Sequence, residues 1–409
     1  MIVNRGYAYR IYPTKEQEQL LIQFIGSYRF TWNWALARWN TDYADTGKAD
    51  MYSIKKDFNS LKKTIDYAWL KQMPCHISDA TLNLGNAWNR YFKKVKGAER
   101  PTFKKKQIAE SCPIIGKVLV DGKNGRIFIG GSKLDIKARI HRAIPGAIKA
   151  SVVKRNAAGQ WFIVFKVAFD ELQSSAGKQL QPSIGYDLGL KDLLALSDGT
   201  KISAPKFYKK AEKKLAKLQR CHAKKQKGSK NREKARQKVA KLHVHVANQR
   251  KNLAHQISNR LASENQAVAC EDLNVKGMGR GLKSMHKSAH DAGFGQITGL
   301  MAYKCAREGC AFVKVKRFVR STGVCPNTLQ NRAVKLLLGE RNWTCSCCGI
   351  KWDRDIAAAK VIEQLGRDAA KVKPVETGTS TFSIKSIAQA RSAKQEAIHA
   401  EARSFTALA

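Results

Sequence analysis

Acidic side chains are scarce in this chain: 32 Asp and Glu stand against 75 Lys and Arg over 409 residues, a formal net charge of +43. A compact fold with that surplus repels itself until a polyanion neutralises it, which excludes a surface of evenly balanced ion pairs. Nucleic acid is the fitting polyanion, because its phosphates exchange condensed counterions for Lys and Arg. Long apolar runs are missing as well. None approaches the roughly 18 residues of a spanning helix, and the opening MIVNRGYAYRIYP has no apolar leader core. These absences argue against a membrane and for an intracellular protein, cytoplasmic or nucleoid-associated. Disulfide-framework spacing is lacking too. Cys75, Cys112, Cys221, Cys270, Cys305 and Cys310 are scattered singly, which reads as buried, reduced thiols. What the chain does have is apolar side chain, 43% of residues, enough for two or three cores.

YAYRIYP alternates as a strand does and stops at Pro13. Thr14 and Gln17 then form a capping-box pattern ahead of EQLLIQFIGSYRFTWNWALARW. In that run Tyr28, Phe30, Trp32, Trp34 and Trp39 are interleaved with Arg29 and Arg38. Aromatics beside arginines can stack on bases, but this spacing suits a helix face packed into a core. Helical patterning continues to about Phe92, and Gly97 and Pro101 break it. From about 110 to 172 short strands take over, with turns at Asn124-Gly125 and at Ala157–Gly159. They make a small β-barrel or sheet, with the first strand a candidate member. Residues 170–182 read as a linker by composition.

A second unit opens at SIGYDLGLKDLLALSDGTKI, with strands at 183–188 and 193–197. Residues 206–262 follow as two helices broken at 228–230, with about twenty cations, scarcely any acids and one apolar stripe. Lys209, Lys210, Lys213, Lys214, Arg232, Arg236 and Arg250 are the candidate phosphate contacts there. A strand at 266–273, a helix near 296–309 and a strand at 312–319 come next; beyond 368 the composition reads as a disordered tail.

Three acids stand at element ends. Asp187 closes the apolar strand IGYDLG, Glu271 closes AVACEDL, and Asp355 opens the helix DRDIAAAKVIEQL. A carboxylate at the end of a buried strand loses solvation unless it binds something. Three of them on separate elements suggest a divalent-metal site for phosphodiester chemistry. There two hard cations share carboxylate oxygens, one activating water and one stabilising the leaving oxygen. Taken singly, Asp355 reads equally as a helix cap, and spacing alone does not bring the three together. Asp353 is a cap candidate beside it, and Asp272 should face the other side of its strand from Glu271. Just before Asp355, Cys325-x-x-Thr328 and Cys345-x-x-Cys348 have the spacing of a structural zinc site in which one cysteine is replaced. Two readings stay open: zinc on Cys325, Cys345 and Cys348, with water or Cys347 completing it, or a metal-free ribbon packed around Trp343 and Leu336–Leu338.

Several pieces follow one another almost from end to end: YRIYPTKEQEQLL…RFTWNWAL, RPTFKKK, IGYDLGLKDLLALSDG, GSKNREKARQKVAKLHVHVANQRKNLAHQIS, EDLNVKGM, DAGFGQITGLMAYK and RNWTCSCCG…DRDIAAAKVI. In that order they resemble the TnpB proteins, insertion-sequence-encoded relatives of type V CRISPR effectors. The resemblance implies an α+β multidomain fold. A wedge β-barrel (1–13 and 106–172) is interrupted by a helical recognition lobe (14–105), and a linker (173–182) leads to an RNase H-like (RuvC) α/β nuclease domain. That domain spans 183–322 and 351–368, with the basic helices as an insertion, a zinc-ribbon-like target-nucleic-acid-binding insertion at 323–350 and a tail at 369–409. It further implies Asp187, Glu271 and Asp355 as ligands of two Mg²⁺ ions, and an RNA-guided DNA endonuclease that works as a monomer. A transposon-derived guide RNA and a short transposon-adjacent motif would select double-stranded target DNA. Arg341, matching the arginine of the family's knuckle, is a candidate for contacting the charge of the transition state, with a phosphate-gripping or a structural role equally open. Ala357 departs from the family, which commonly has Asn there. A guide-directed DNA-binding regulator without cleavage, or a transposase, are the alternative functions.

Overall fold

A computed structural model describes residues 2–72, 78–114, 118–130, 134–170, 183–278, 283–317, 320–330 and 339–370. Cys75, Leu336–Leu338, the 173–182 linker and the tail beyond 370 lie outside these residues.

The first half is built on an antiparallel sheet. Strand β1 (Ile2–Tyr12) precedes helices α1 (Lys15–Thr46), α2 (Met51–Leu61) and α3 (Asp79–Phe92). Strands β2 (Glu110–Ile114), β3 (Val118–Asp121), β4 (Arg126–Ile129), β5 (Leu134–Arg139), β6 (Ala147–Arg155) and β7 (Trp161–Asp170) follow. Their order is β2-β6-β7-β1-β5-β4-β3, so the N-terminal strand lies inside the sheet, paired with β7 over Ile2–Ile11 and with β5 at its far end. Among the described residues this ladder is open, because β2 and β3 do not pair. Of the barrel or sheet expected from the sequence, the described residues form a seven-stranded sheet that includes the first strand. One face packs Tyr9, Ile11, Ile127, Ile136, Ile163 and Phe165 against Leu21, Phe24 and Ile25 of α1.

Helix α1 begins as its capping box dictates. Thr14 Oγ1 accepts from the Gln17 N–H, and the Gln17 side chain accepts from the Thr14 N–H. Its far half carries the aromatics. Trp32 and Trp39 are buried with Trp88 and Met51 against α2 and α3, while Phe30 and Trp34 pack beside Phe58. The core-packing expectation describes these rings. The RPTFKKK stretch runs alongside, with Trp32 Nε1 donating to the Thr102 carbonyl and Lys104 Nζ 4.2 Å from the Trp32 ring centre.

The second half holds strands β8 (Ile184–Leu188), β9 (Asp192–Leu196) and β10 (Lys201–Ser203), then helices α4 (Phe207–Ala223) and α5 (Lys230–Glu264). Strand β11 (Ala267–Glu271) follows, with helices α6 (Val275–Met278), α7 (Lys283–Ala292) and α8 (Phe294–Glu308) and strand β12 (Ala311–Val315). A two-stranded ribbon, β13 (Asn342–Thr344) and β14 (Lys351–Asp353), runs straight into helix α9 (Arg354–Ala370). Ala369 and Ala370 are thus helical, two residues beyond the expected start of the tail.

The five-stranded sheet has the order β10-β9-β8-β11-β12, with β8 parallel to β11 and β11 parallel to β12. Alternation splits its faces. Tyr186 and Cys270 point into a core with Leu261, Ile297 and Met301 from α5 and α8. Gly185, Asp187, Ala269 and Glu271 face the other way, towards α9. The helix comes unusually close there. A Cβ on Gly185 would stand 2.2 Å from the Ala359 carbonyl oxygen, and one on Gly366 would stand 2.2 Å from the Ala269 Cβ. Glycine on each partner sets this separation, which brings the start of α9 to the ends of β8 and β11.

Candidate active site and cysteine knuckle

Strand register lines up the acids. Asp187 pairs with Ala195, and Ala195 pairs with Lys201 on the next strand. On the other side, Cys270 pairs with Tyr186, so Glu271 stands level with Asp187 one residue further on. A row Lys201–Ala195–Asp187–Glu271 therefore crosses four strands on the α9 face, with a small side chain at its middle. Asp355 comes in from above, in the first turn of α9. A cavity of about 220 Å³ lies here, lined by Asp187, Ala195, Asp192, Arg341 and Asp355 among others.

The electrostatics are those of crowded like charges. Asp187 is pushed up to about 7, first by burial and then by the carboxylates of Asp355 and Glu271. Burial also raises Glu271. Cations answer the outer acids. Arg341 Nη1 donates to both oxygens of Asp355 at 3.1 Å each. Lys201 Nζ donates to Asp353 at 2.7 Å and lies 3.8 Å from Asp355. Asp353 caps α9, accepting from the N–H groups of Asp355 and Ile356. Burial works to raise its carboxyl, but the Lys201 ammonium and these amides hold it below the ordinary value. Asp272 turns away to Arg317 and Lys314. Lys201 is a member the sequence reading missed. The signal was in the sequence: the Asp198-Gly199 turn fixes the β9–β10 register and so sets Lys201 across from Ala195.

Arg341 and α9 also tie the ribbon to this site. The Arg354 N–H donates to the Arg341 carbonyl at 2.6 Å, and Gln364 Nε2 donates to the Pro326 carbonyl at 2.8 Å. Ala357, where the family commonly has Asn, is 2% exposed and packs against Cys325, Trp343 and Cys345. Its methyl belongs to the ribbon's apolar core.

The ribbon contains two knuckles of the same backbone design. In one, the Cys325 N–H donates to the Gln330 carbonyl and the Leu329 N–H to the Cys325 carbonyl. In the other, the Cys345 N–H donates to the Ile350 carbonyl and the Gly349 N–H to the Cys345 carbonyl. Leu329 and Gly349 occupy the same left-handed position, at φ 54° and 67°. Thr328 is therefore the structural counterpart of Cys348. The sulfurs of Cys325, Cys345 and Cys348 all lie within 4.8 Å of one another. Burial pushes the Cys325 thiol up, but hydrogen bonds from the Thr328 hydroxyl and from the Thr328 and Asn327 amides outweigh it and bring it down to about 6. Cys347 does not join the cluster. It is exposed, and its Sγ donates to Gln330 Oε1 at 3.2 Å. One scattered thiol also departs from expectation: Cys221 is exposed, whereas Cys112, Cys270, Cys305 and Cys310 are buried.

The basic helices divide in two. Lys209, Lys210, Lys213 and Lys214 are exposed on α4. The three arginines have internal partners. Arg232 Nη1 donates to the Lys225 carbonyl, and Arg236 bonds Glu233 and the Ala157 carbonyl of the β6–β7 turn. Arg250 Nη1 donates to the His290 carbonyl at 2.9 Å, with its Nε 3.7 Å from Asp291. They brace the α4–α5 hairpin against both halves of the protein, which sets them apart from the exposed lysines.

A mixed sheet of this order, with carboxylates at the ends of β8 and β11 under a closely packed helix, makes this a mixed α+β protein with an acidic site. Family models then match along the chain. OrfB_IS605, described as "Probable transposase", covers 167–281; a "Helix-turn-helix domain" of the same group covers 1–48; and "Cas12f1-like, TNB domain" covers 294–362. In this structure residues 2–46 are a strand and one unbroken 32-residue helix. A "Putative RNA-guided DNA endonuclease" of Streptomyces pristinaespiralis is 31% identical over 90% of this chain and 90% of its own. InsQ of Escherichia coli strain K12, with the same description, is 27% identical over 73% of this chain and 77% of its own. A solved Cas12f1–sgRNA–target DNA complex shares 13% identity at a TM-score of 0.47, over 84% of this chain and 81% of that one. The chain belongs to the TnpB family.

Proposed function

We propose that this protein is an RNA-guided DNA endonuclease that hydrolyses phosphodiester bonds at Asp187, Glu271 and Asp355. The observation that carries the reading is the crowding of three carboxylates from segments 84 residues apart and more, one of them, Asp187, pushed up to about 7 first by burial and then by the other two. Close kinship to relatives described as RNA-guided DNA endonucleases supplies the substrate class. The donor set fits hard divalent cations, since all three groups are carboxylates and their mutual repulsion is what such an ion relieves. Asp187 and Asp355 would hold Mg²⁺ within the cavity, with Glu271 completing the set; two ions are the arrangement proposed. Bound there, Mg²⁺ supplies Lewis-acid activation of water and of the leaving oxygen. Lys201 holds Asp353, and Asp353 holds the first turn of α9, so the pair positions Asp355. Arg341 is placed to exchange its Asp355 partner for a substrate phosphate.

The organisation proposed with it keeps the boundaries of the resemblance, with the first sheet and the α1–α3 lobe gripping guide RNA and target duplex. The exposed lysines of α4, Lys209, Lys210, Lys213 and Lys214, contact phosphates. The knuckle contacts target nucleic acid, with zinc on Cys325, Cys345 and Cys348 where it is bound. Purifying the protein with co-expressed RNA and sequencing that RNA is the first test. A discrete transcript from the flanking element is the expected result, and random cellular RNA would refute guidance. Cleavage of a duplex matched to that RNA in Mg²⁺, lost in Asp187→Ala, tests the chemistry. Strand-transfer products in the same assay would favour the transposase description instead.

A further inference from the structure

Beside the acid cavity lies a larger one of about 340 Å³, and Leu190 lines both. That size falls within the roughly 300–1,000 Å³ of small-ligand pockets. Its floor is apolar: Leu193 from the sheet and Ile297 from α8 are at most 2% exposed, and Leu253 of α5 lies beside them. Tyr208 adds an aromatic wall, and Gln296 an amide. Lys206, Lys209, Lys287 and Arg250 bring positive charge, against two acids, Glu212 and Asp291. Both acids already have partners. Lys287 Nζ donates to Glu212 at 2.6 Å. Asp291 accepts from the N–H groups of Tyr208 and Lys209, closing the start of α4, with Arg250 3.7 Å away. Lys206 and Lys209 remain, exposed and facing an apolar slot.

An apolar slot with an aromatic wall and a cationic rim, one residue's width from a phosphodiester site, has the chemistry of a nucleotide: base in the slot, phosphate on the rim. A lipid tail or an apolar side chain would fill the floor and leave the cations unanswered. Resting on the nuclease reading above, we infer that this cavity receives one unstacked base of the DNA strand whose phosphate lies at the acids. The base packs between Leu253 and the Tyr208 ring, the amide of Gln296 reaches its edge, and Lys206 and Lys209 hold the adjoining phosphate. Seating a base there fixes the strand's register against Asp187 and Asp355, so the position of the cut follows from the pocket as well as from the guide.

The test is an abasic walk. Target strands lacking one base at each successive position near the cut are presented to the RNA-loaded protein. The effect is read as cleavage rate, and as dissociation rate of uncut target from the Asp187→Asn protein. Gln296→Trp and Ser288→Trp fill the cavity from two exposed positions on different helices, and melting temperatures verify their folds. The expected result is one position where base removal slows cleavage and speeds dissociation about tenfold in the unfilled protein. In both filled variants the same removal costs nothing, a coupling that only a shared contact produces. Base removal acting alike on filled and unfilled protein at every position would overturn the inference. Failure of the nuclease reading shows differently, as cleavage that survives Asp187→Ala, and the dissociation readout does not depend on cleavage.

Discussion

The acid site and the cysteine knuckle are separated by one short strand, yet they are assembled on opposite terms. The three thiol sulfurs lie within 4.8 Å of one another, on two backbone turns of identical hydrogen bonding. The oxygens of the three carboxylates do not all fall within that distance, and Arg341 and Lys201 stand beside Asp355. A small loop can gather three thiols at little cost. Gathering half-buried carboxylates needs a sheet, a helix seated on glycines and cations in reserve. The knuckle has its full frame with a threonine at one of four positions, whereas the acid site has all three candidate acids on a frame of distant elements.

Removing an acid should have the largest effect. Asp187→Ala or Glu271→Ala should lower duplex cleavage by roughly a thousandfold or more while guide RNA still co-purifies; full activity in both would unseat the site. Next comes stability against pH. Asp187 holds its proton more tightly in the folded chain than in the unfolded one, where it titrates near 3.8. Below that value both states are protonated and nothing is lost. As pH rises towards about 7 the unfolded chain ionises first, so the metal-free protein should lose on the order of 4 kcal/mol, fully lost above about 7. Urea unfolding in chelator from pH 4 to 8 reads this, and Asp187→Asn should flatten the slope.

Arg341→Ala should cost about 10- to 100-fold in cleavage rate with target binding intact; unchanged cleavage would leave Arg341 a purely structural tie. On the knuckle side, Thr328→Cys should raise bound zinc towards about one equivalent per chain, measured without chelator. An unchanged metal content would mean that the frame itself has closed to the ion. Smallest of all, Leu329→Gly should stabilise the ribbon by about 1 kcal/mol, because it relieves a branched side chain in a left-handed turn that Gly349 fills in the other knuckle.

Much of this was legible in the sequence because it is local. The capping box of α1, the Asn124-Gly125 turn and the cysteine spacing each announce themselves within a few residues. The acids were legible as strand and helix ends, but only register makes Asp187 and Glu271 neighbours. What escaped depends on distant partners. Arg236 reaches a carbonyl 79 residues away and Lys201 an aspartate 152 residues away, and nothing near either marks the destination. Cys221 read as buried because cysteine usually is, but it lies on the solvent face of a lysine-rich helix. Whether the first unit was a barrel or a sheet was likewise open, since strand count and spacing do not say which strands become neighbours.

The place of β1 inside its sheet sets a timetable for synthesis. The residues of β1 have bonding partners in β7, at Trp161–Asp170, so after leaving the ribosome they must wait for about 150 more residues. At about 5–20 residues per second that delay lasts on the order of 10–30 s. Throughout it, a strand with Tyr7, Tyr9 and Ile11 on one side has no sheet to join, while α1 can already form beside it. A nascent chain of this kind depends on its own first helix, or on a chaperone, to cover that edge until the rest arrives.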